Sequence, residues 1–295
     1  MRVFVTGAAG FIGTATTREL IANGHQVTGL ARNDANADIL MKLGAKVHRG
    51  DLEDVENLKS AAKDADGVIH LAFIHDFSRF AENGQIDARA IEAMGSALEG
   101  TNKPLIVTSG VGMLSPGQMA TEDMMKHQPG IPRMSEAAVF AFNDRGVRTM
   151  AMRLPQVHGG EGKAGFIGYL FQVARDKGVS AYVGDGSNRW SAAHRADVAR
   201  LYRLALEKGA AGKAYHAVAD SAVPVRDLAE VFAKILNVEA RSLTPEQVGE
   251  YFGWMAMFAS LDMPASSAKT QAELALLWHF LRRNAARGIP ESAFQ

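Results

Sequence analysis

Two kinds of segment alternate along most of the chain. Short runs rich in β-branched and other apolar residues are followed by longer segments in which apolar residues recur at helical spacing. The runs that predict strands cover residues 2–6, 26–30, 45–49, 67–72, 104–109, 148–153 and 214–219. The segments that predict helices cover residues 11–23, 35–43, 54–64, 85–99, 135–145, 165–177 and 195–208. This alternation is typical of βαβ units, so it predicts an α/β fold with a doubly wound parallel sheet.

The pattern changes near residue 155. Residues 155–165 are rich in glycine and polar residues, and the pattern indicates helices but no strand after residue 219. We therefore expect a sheet domain made of residues 1–154 plus about 192–222. The segments of about 155–191 and 223–295 then form a small, mostly helical C-terminal lobe on the substrate side.

A glycine-rich turn follows the first predicted strand and opens the first predicted helix. Gly7 permits the tight turn, Gly10 lets the backbone approach a pyrophosphate, and Gly13 lets the helix pack closely on the strand. The backbone N–H groups of Phe11 and Ile12, at the helix start, carry a positive partial charge that favours phosphate. The context therefore predicts a Rossmann dinucleotide site, against the alternative that the glycines serve only a tight turn.

The end of the second predicted strand indicates which dinucleotide binds. An NAD site usually has an acidic residue there for the ribose 2′-OH, whereas a 2′-phosphate requires a cation. The sequence has no acid at this point and continues into Arg32, so we expect NADP(H) to be preferred over NAD(H). The alternatives are that Arg32 is a solvated loop residue, and that Asp34 pairs with it or binds a 2′-OH.

Composition and charge exclude several classes of protein. Cysteine is absent, which excludes thiolate catalysis, Cys-ligated zinc and iron–sulfur clusters. The 32 basic and 32 acidic side chains balance, which argues against a nucleic-acid-binding protein; the one basic cluster is Arg282, Arg283 and Arg287. The spacing of His70 and His75 does not indicate a metal site. Because no apolar run approaches the roughly 18 residues that span a bilayer, we expect a soluble cytoplasmic protein without membrane contact.

Several short motifs of one known family follow one another over about residues 1 to 265. They are the turn at 6–13, Gly50-Asp51-Leu52, Val68-Ile69-His70-Leu71-Ala72, Arg153-Leu154-Pro155-Gln156-Val157-His158-Gly159, Gly184-Asp185-Gly186 and His194-Arg195-Ala196-Asp197-Val198-Ala199. Together they resemble the extended short-chain dehydrogenase/reductase family, relatives of nucleotide-sugar epimerases and dehydratases. The resemblance fades toward the C-terminus, where residues 276–279 echo the family only loosely.

The resemblance implies a set of cofactor contacts. It assigns Asp51 and Leu52 to the adenine, Leu71 and Ala72 to the adenosine ribose, Thr108 and Ser109 to the floor beneath the nicotinamide, and Pro155 to Val157 to its carboxamide. One of these assignments has a structural alternative, because Asp51 could equally cap the helix that starts near Asp54.

The residues that carry the family's chemistry are missing. The family uses a Tyr as general acid/base, a Lys four positions beyond it and a Ser or Thr after the fifth strand. Matching the motifs puts Pro132, Glu136 and Gly110 at those positions, and no Tyr precedes residue 169. The sequence therefore resembles the atypical members of the family, which keep the glycine motif and lack the usual active-site residues.

Other side chains are candidates for the lost acid. Ser109 lies at the carboxyl end of the fifth predicted strand, and His75 follows the fourth, where it could overhang the nicotinamide. The further candidates are His158 and the lobe phenols Tyr169 and Tyr182; the alternatives are structural roles for Ser109 and core packing for the phenols. Arg133 could bind an anionic substrate and equally could pair with Glu136.

These features favour an NADP(H)-dependent oxidoreductase that transfers hydride to a small carbonyl, enone or similar acceptor. An NADP(H)-binding sensor without turnover is the alternative, and an epimerase or dehydratase is disfavoured because its cycle also uses the missing Tyr. Met-rich stretches at 113–125 and 254–263 indicate either core or the apolar wall of a substrate pocket, and such a wall would favour an apolar or aromatic substrate over a nucleotide sugar. If the chain forms a homodimer, the family's usual interface helices correspond to residues 85–99 and 135–145.

Overall fold

A computed structural model describes residues 1–112, 114–124, 133–159 and 165–278 of the chain. The strands are β1 (Arg2–Thr6), β2 (Gln26–Ala31), β3 (Lys46–Arg49), β4 (Gly67–His70), β5 (Pro104–Gly110), β6 (Arg148–Leu154), β7 (Gln156–His158), β8 (Val179–Val183), β9 (Arg189–His194), β10 (Lys213–His216), β11 (Asp220–Pro224) and β12 (Glu239–Leu243). The helices are α1 (Phe11–Ala22), α2 (Asp34–Lys42), α3 (Val55–Lys63), α4 (Phe80–Leu98), α5 (Ser135–Phe140), α6 (Gly165–Lys177), α7 (Arg195–Lys208), α8 (Val225–Leu236), α9 (Pro245–Phe252), α10 (Ala256–Ala259) and α11 (Ala268–Leu274). Single 3₁₀ turns cover Phe77–Arg79, Asn143–Arg145 and Gly253–Met255.

The central sheet has seven parallel strands in the order β10-β6-β5-β4-β1-β2-β3. The predicted α/β fold with a doubly wound sheet is therefore confirmed. The chain builds outward from β1 to β3 and then returns to β4, so the strand order reverses between β1 and β4. Ligands of such sheets bind at the carboxyl ends of the strands beside this reversal.

Burial on both faces explains why these strands are apolar runs. All four residues of β4 are buried, and so are the first six of β5. Helices α1, α2 and α7 cover one face and α3, α4 and α5 cover the other. Helical segments end beside Gly24, Gly44 and Gly146, whose φ of +82°, +81° and +70° glycine adopts without strain.

The C-terminal part corrects one prediction. Two strands follow residue 219, since β11 pairs with β9 in a three-stranded sheet that also contains β7, and β12 pairs with β8. The expectation of helices alone was wrong because β12 has the sequence Glu-Ala-Arg-Ser-Leu, mostly exposed, and β11 ends in Pro224. Such short polar edge strands form through their partners and give no apolar run.

Two further predictions concern the chain outside the sheet. The basic cluster Arg282, Arg283 and Arg287 lies outside the described residues. Within the part of the chain that is described, no helix is long and apolar enough to cross a membrane. The proposed domain boundaries stay a prediction.

Candidate active site

The glycine turn has the geometry that a cofactor phosphate requires. Gly7 has a φ of +67°, and the N–H of Gly10 donates to its carbonyl at 2.9 Å. A Cβ at Gly7 would lie 2.7 Å from the backbone nitrogen of Ala72, and a Cβ at Gly13 would lie 2.0 Å from the Gly7 carbonyl oxygen. Neither position can hold a side chain unless the backbone moves. The tight turn predicted at Gly7 and the close packing predicted at Gly13 are therefore both present.

Helix α1 starts directly after this turn with its first N–H groups at the carboxyl edge of the sheet. The cap residue Gly10 has no side chain that could accept from the first N–H groups of the helix, so the turn at Phe11 and Ile12 is suited to an anion. The guanidinium of Arg195, the first residue of α7, lies 5.3 Å from the centre of the Phe11 ring. Sequence reasoning missed Arg195, because only the side-by-side packing of α1 and α7 brings it to the turn.

Two arginines lie at the adenosine end of the site. Arg32 is exposed immediately after β2, and Arg49 ends β3 in register with Ala31. The Nη2 atom of Arg49 lies 2.7 Å from Oδ1 of Asp34. Asp34 therefore pairs with Arg49 and not with Arg32, and the sequence signal that could have identified Arg49 is its place at the end of the neighbouring strand.

Asp51 holds the turn before α3. Its Oδ1 accepts from the backbone N–H groups of Glu53 and Asp54, at 2.8 and 3.2 Å. The alternative that Asp51 caps this helix is therefore wrong, because Asp54 caps α3 and Asp51 holds only the turn before it. The adenine contacts of Asp51 and the buried Leu52 stay predictions, as do those of Leu71 and Ala72.

Thr108, near the end of β5, has its hydroxyl inside the protein. Thr108 donates its hydroxyl hydrogen to the His70 carbonyl at 2.7 Å, so the phenol of Tyr202 must donate to Thr108 across the 2.8 Å between their oxygens. Tyr202 is fully buried, and burial raises its pKa above the usual value. Among the described contacts, Tyr202 is the tyrosine whose hydroxyl bonds a residue of β5. Its complete burial keeps it out of reach of a substrate.

Ser109 and Glu136 meet a different environment on the other face of the sheet. Ser109 is buried and lies in register with Arg153 of β6. Arg153 donates Nε and Nη2 to Glu136 of α5 at 2.9 and 2.7 Å, and its Nη1 lies 3.3 Å from Nε2 of His216. Glu136, which the motif match puts at the family's Lys position, is therefore neutralised by the buried Arg153 and does not pair with Arg133.

A buried hydrogen-bond chain links the glycine turn to the start of α5. Thr6 lies 2.7 Å from Nδ1 of His70, Nε2 of His70 lies 3.1 Å from Asp87, and Ser135 donates to Asp87 at 2.5 Å. These residue types match a hydrolytic triad, but Thr6 is fully buried and its oxygen accepts from the N–H of Ala72 at 3.3 Å. These hydrogen bonds therefore hold the glycine turn and the start of α5 in fixed positions relative to each other. Burial alone would raise the pKa of Asp87, but its bond to His70 keeps the pKa below the usual value.

His75 lies in an aromatic and cationic neighbourhood after β4. Its ring stacks edge-on against Phe73 at 5.4 Å, and the guanidinium of Arg133 lies 4.2 Å from the centre of the same Phe73 ring. Partial burial, and then the charge of Arg133, lower the pKa of His75 below 6.5. At neutral pH this imidazole is therefore uncharged and offers an N–H hydrogen bond; its catalytic role stays a prediction.

The segment after β6 brings two histidines together. Pro155 and Val157 lead into His158, whose ring stacks edge-on against His194 at 5.7 Å. Burial lowers the pKa of His158, and burial together with His158 lowers that of His194 to about 4. Both rings are neutral at pH 7, which disfavours His158 as an acid. The carboxamide contact of Pro155 and Val157 stays a prediction.

The lobe contributes an aromatic wall instead of a free phenol. Tyr169 donates its hydroxyl to the Phe252 carbonyl at 3.2 Å and stacks on Trp254 at 5.0 Å, while Tyr182 packs under Arg226. Phe166 and Phe258 complete the cluster around Trp254. Trp254 is 47% exposed and Met257 is 61% exposed, so part of this apolar surface is open. The hydroxyl of Tyr169 is thus bonded within the lobe, and the ring of Tyr182 packs against Arg226.

The fold and the glycine turn define an NAD(P)-binding oxidoreductase-like protein of the Rossmann class. The chain belongs to the NAD dependent epimerase/dehydratase family, whose sequence model matches residues 3–219. This bears out the resemblance to the extended short-chain dehydrogenases.

Known proteins similar to this chain include reductases. It is 30% identical to the 2-alkyl-3-oxoalkanoate reductase of Stenotrophomonas maltophilia over 247 residues, 77% of this chain and 73% of the reductase. It is 46% identical to the uncharacterized protein C2A9.02 of Schizosaccharomyces pombe over 276 residues, 93% and 94% of the two chains. The structure of DesIV, a dTDP-glucose 4,6-dehydratase from Streptomyces venezuelae solved with NAD, superposes with a TM-score of 0.77 at 20% identity, covering 95% of this chain and 92% of DesIV.

Proposed function

We propose that this protein is an NADP(H)-dependent oxidoreductase that reduces a small carbonyl, enone or similar acceptor without the family's Tyr/Lys pair. The observation that carries the proposal is the turn from Gly7 to Gly13 at the strand reversal. There a cofactor phosphate would meet only backbone, because the glycines leave no room for side chains. The bound cofactor would supply the hydride. The chain's own residues would hold its phosphates at the start of α1, and Arg195 would add positive charge there.

The preference for NADP(H) rests on Arg32 and Arg49. Both guanidiniums lie at the ends of the strands that flank the adenosine side, and the nearby acid Asp34 is neutralised by Arg49. We expect NADPH to bind at least about tenfold tighter than NADH in a fluorescence titration, since a charged pair contributes roughly 1.5–3 kcal/mol. Arg32→Gln should remove that difference, whereas Arg226→Gln in α8 should keep it. Equal affinities of the wild-type protein for NADH and NADPH would refute the assignment.

An apolar or aromatic substrate is supported by the wall around Trp254. The start of α6 joins this wall to the cofactor turn, because a Cβ at Gly165 would lie 2.9 Å from the Val157 carbonyl and 3.9 Å from the Phe11 ring. The name of the Stenotrophomonas relative indicates an alkyl-substituted oxo acid as its substrate. A panel of apolar ketones, enones and oxo acids, followed by NADPH absorbance at 340 nm, is therefore the first activity screen.

A cofactor sensor without turnover is the second candidate. It is favoured by two observations: Glu136 is ion-paired with Arg153, and Tyr202 is buried. Neither side chain is therefore available as the proton donor of a reduction. The same screen separates the two functions. Tight NADPH binding with no oxidation across the panel would favour the sensor, and absence of NADPH binding would exclude both.

A further inference from the structure

Arg133 makes an unusual set of contacts for a partly buried guanidinium. Its Nε donates to Oγ of Ser135 at 3.0 Å and its Nη2 donates to the Thr108 carbonyl at 2.8 Å, while its plane lies over Phe73. All three partners are uncharged. A guanidinium has five N–H groups and keeps its charge in proteins, so these bonds leave donors for a further acceptor.

The nearby carboxylates are already engaged by other groups. Asp87 bonds His70 through one oxygen and Ser135 through the other, so it reaches Arg133 only through the Ser135 hydroxyl. Glu136, the alternative partner considered from the sequence, bonds Arg153 through both oxygens. Among the residues that the structure describes, none places a carboxylate in direct contact with Arg133. Because a charge withdrawn from water is costly without a counter-ion, this position favours an anionic ligand.

Another arginine shows what a purely structural contact of this kind looks like. Arg148 is also partly buried and donates to two carbonyls, those of Leu206 and Gly209, both at 2.9 Å. These carbonyls lie at the end of α7, where the helix dipole supplies the negative charge. Arg133 bonds one carbonyl at a strand end and one hydroxyl, and the charges of Asp87 and Glu136 act on it only from a distance, without a direct hydrogen bond.

Arg133 lies at the edge of the sheet where the proposed reaction would take place. Thr108 lies near the carboxyl end of β5 and Phe73 follows the end of β4, on the side of the reversal opposite to Arg32 and Arg49. In a doubly wound sheet this is the half that receives the nicotinamide end of the cofactor. Ser109 and His75, the predicted catalytic residues, lie at the same edge.

We propose that Arg133 binds a carboxylate of the substrate, and that the substrate is therefore an oxo acid with an apolar remainder. This inference rests on the proposed reductase function and specifies its substrate class. The planar fork of the guanidinium matches a carboxylate in two parallel hydrogen bonds, and the Phe73 ring holds it in plane. The apolar wall around Trp254 would take the rest of the molecule.

The test compares acids with matched uncharged molecules. Binding of octanoate and octanamide to the protein saturated with NADP⁺ is measured by calorimetry, and KM is measured for 3-oxodecanoate and its methyl ester. The wild-type protein should prefer the carboxylate of each pair by tenfold or more. Arg133→Gln should reduce that ratio to about one, and Arg133→Lys should restore part of it.

Controls separate this inference from the function on which it rests. Arg148→Gln should lower thermal stability and retain the wild-type ratio, and an unchanged NADPH affinity in Arg133→Gln would show that the cofactor site is intact. Equal binding of octanoate and octanamide to the wild-type protein, or an unchanged ratio in Arg133→Gln, would overturn the proposal. Either result is independent of turnover, whereas failure to bind NADPH would instead refute the proposed function.

Discussion

The buried pair between Glu136 and Arg153 allows a quantitative prediction. Replacing Glu136 by Gln removes the carboxylate that accepts two hydrogen bonds from Arg153, whose side chain is 1% exposed. The remaining polar neighbours are His216 and the Glu122 carbonyl, both at 3.3 Å, and neither is negatively charged. Breaking a buried ion pair in this way costs about 3–5 kcal/mol of unfolding free energy.

Urea unfolding followed by tryptophan fluorescence measures this loss directly, and the melting temperature should fall by about 10 °C. The matched control is Glu230→Gln, which breaks an exposed pair of the same residue types with Arg226, 2.8 Å apart on α8. That change should leave stability almost unchanged, because solvent screens an exposed pair. If Glu136→Gln costs less than about 1 kcal/mol, the two charges are not buried together and the reasoning fails.

A double substitution separates the pair from its surroundings. Replacing Glu136 by Leu and Arg153 by Met in the same protein removes both charges, so no uncompensated ion remains. Such replacements are often neutral or stabilising, and the double variant should therefore be more stable than Glu136→Gln. The same reasoning predicts that Glu136→Lys does not restore the family's active site, because it places a second cation beside Arg153.

Three further substitutions test the turn, a helix and a pH-dependent contact. Gly13→Ala should abolish NADPH binding and cost about 3 kcal/mol or more in urea unfolding, because its Cβ would lie 2.0 Å from the Gly7 carbonyl oxygen and only a backbone shift could relieve the clash. Gly249→Ala in α9 meets nothing within 4 Å and should instead stabilise by about 0.5–1 kcal/mol; a loss of stability would contradict this. The folded pKa of His194, about 4, lies below its unfolded value of 6.5, so the unfolded chain takes up the proton first. Stability should be full above pH 6.5 and fall by about 2 kcal/mol on acidification toward pH 4, after allowance for partial solvent access. His194→Asn, which keeps an acceptor for the start of α7, should reduce that slope, and an unchanged slope would rule out His194 as its source.

The sheet was predictable because burial on both faces leaves a strong signal. Strands such as β4 and β5 are continuous apolar runs, and the helix breaks coincide with glycines at positive φ. The turn at Gly7 was equally predictable, since its spacing and its place after a strand are properties of the sequence. Strand β12 could not be predicted, because four of its five residues are not buried and its conformation depends on pairing with β8.

The charged side chains of the site were predictable as candidates but not as partners. In the sequence, Asp34 lies near Arg32, and Glu136 lies near Arg133. In the structure, each of these two carboxylates pairs instead with an arginine of a strand. Asp34 bonds Arg49 of β3, and Glu136 bonds Arg153 of β6. Such pairings depend on strand order and register, which a hydrophobic pattern does not specify.

The charges at the end of β5 explain how the site differs from the family pattern. At the position where the motif match expects the family's Lys on the helix after β5, the sequence has Glu136, and Arg153 neutralises this carboxylate inside the protein. The positive charge at this edge is carried instead by Arg133, two residues before Ser135 on the chain and oriented by Phe73 and the Thr108 carbonyl. Burial raises the pKa of Tyr202 more than the nearby Arg133 lowers it, and this phenol is fully buried, so the cation at this edge does not prepare a proton donor. In the role proposed for it, Arg133 binds and orients the carboxylate of a substrate, and the positive charge at this edge would then serve substrate recognition instead of proton transfer.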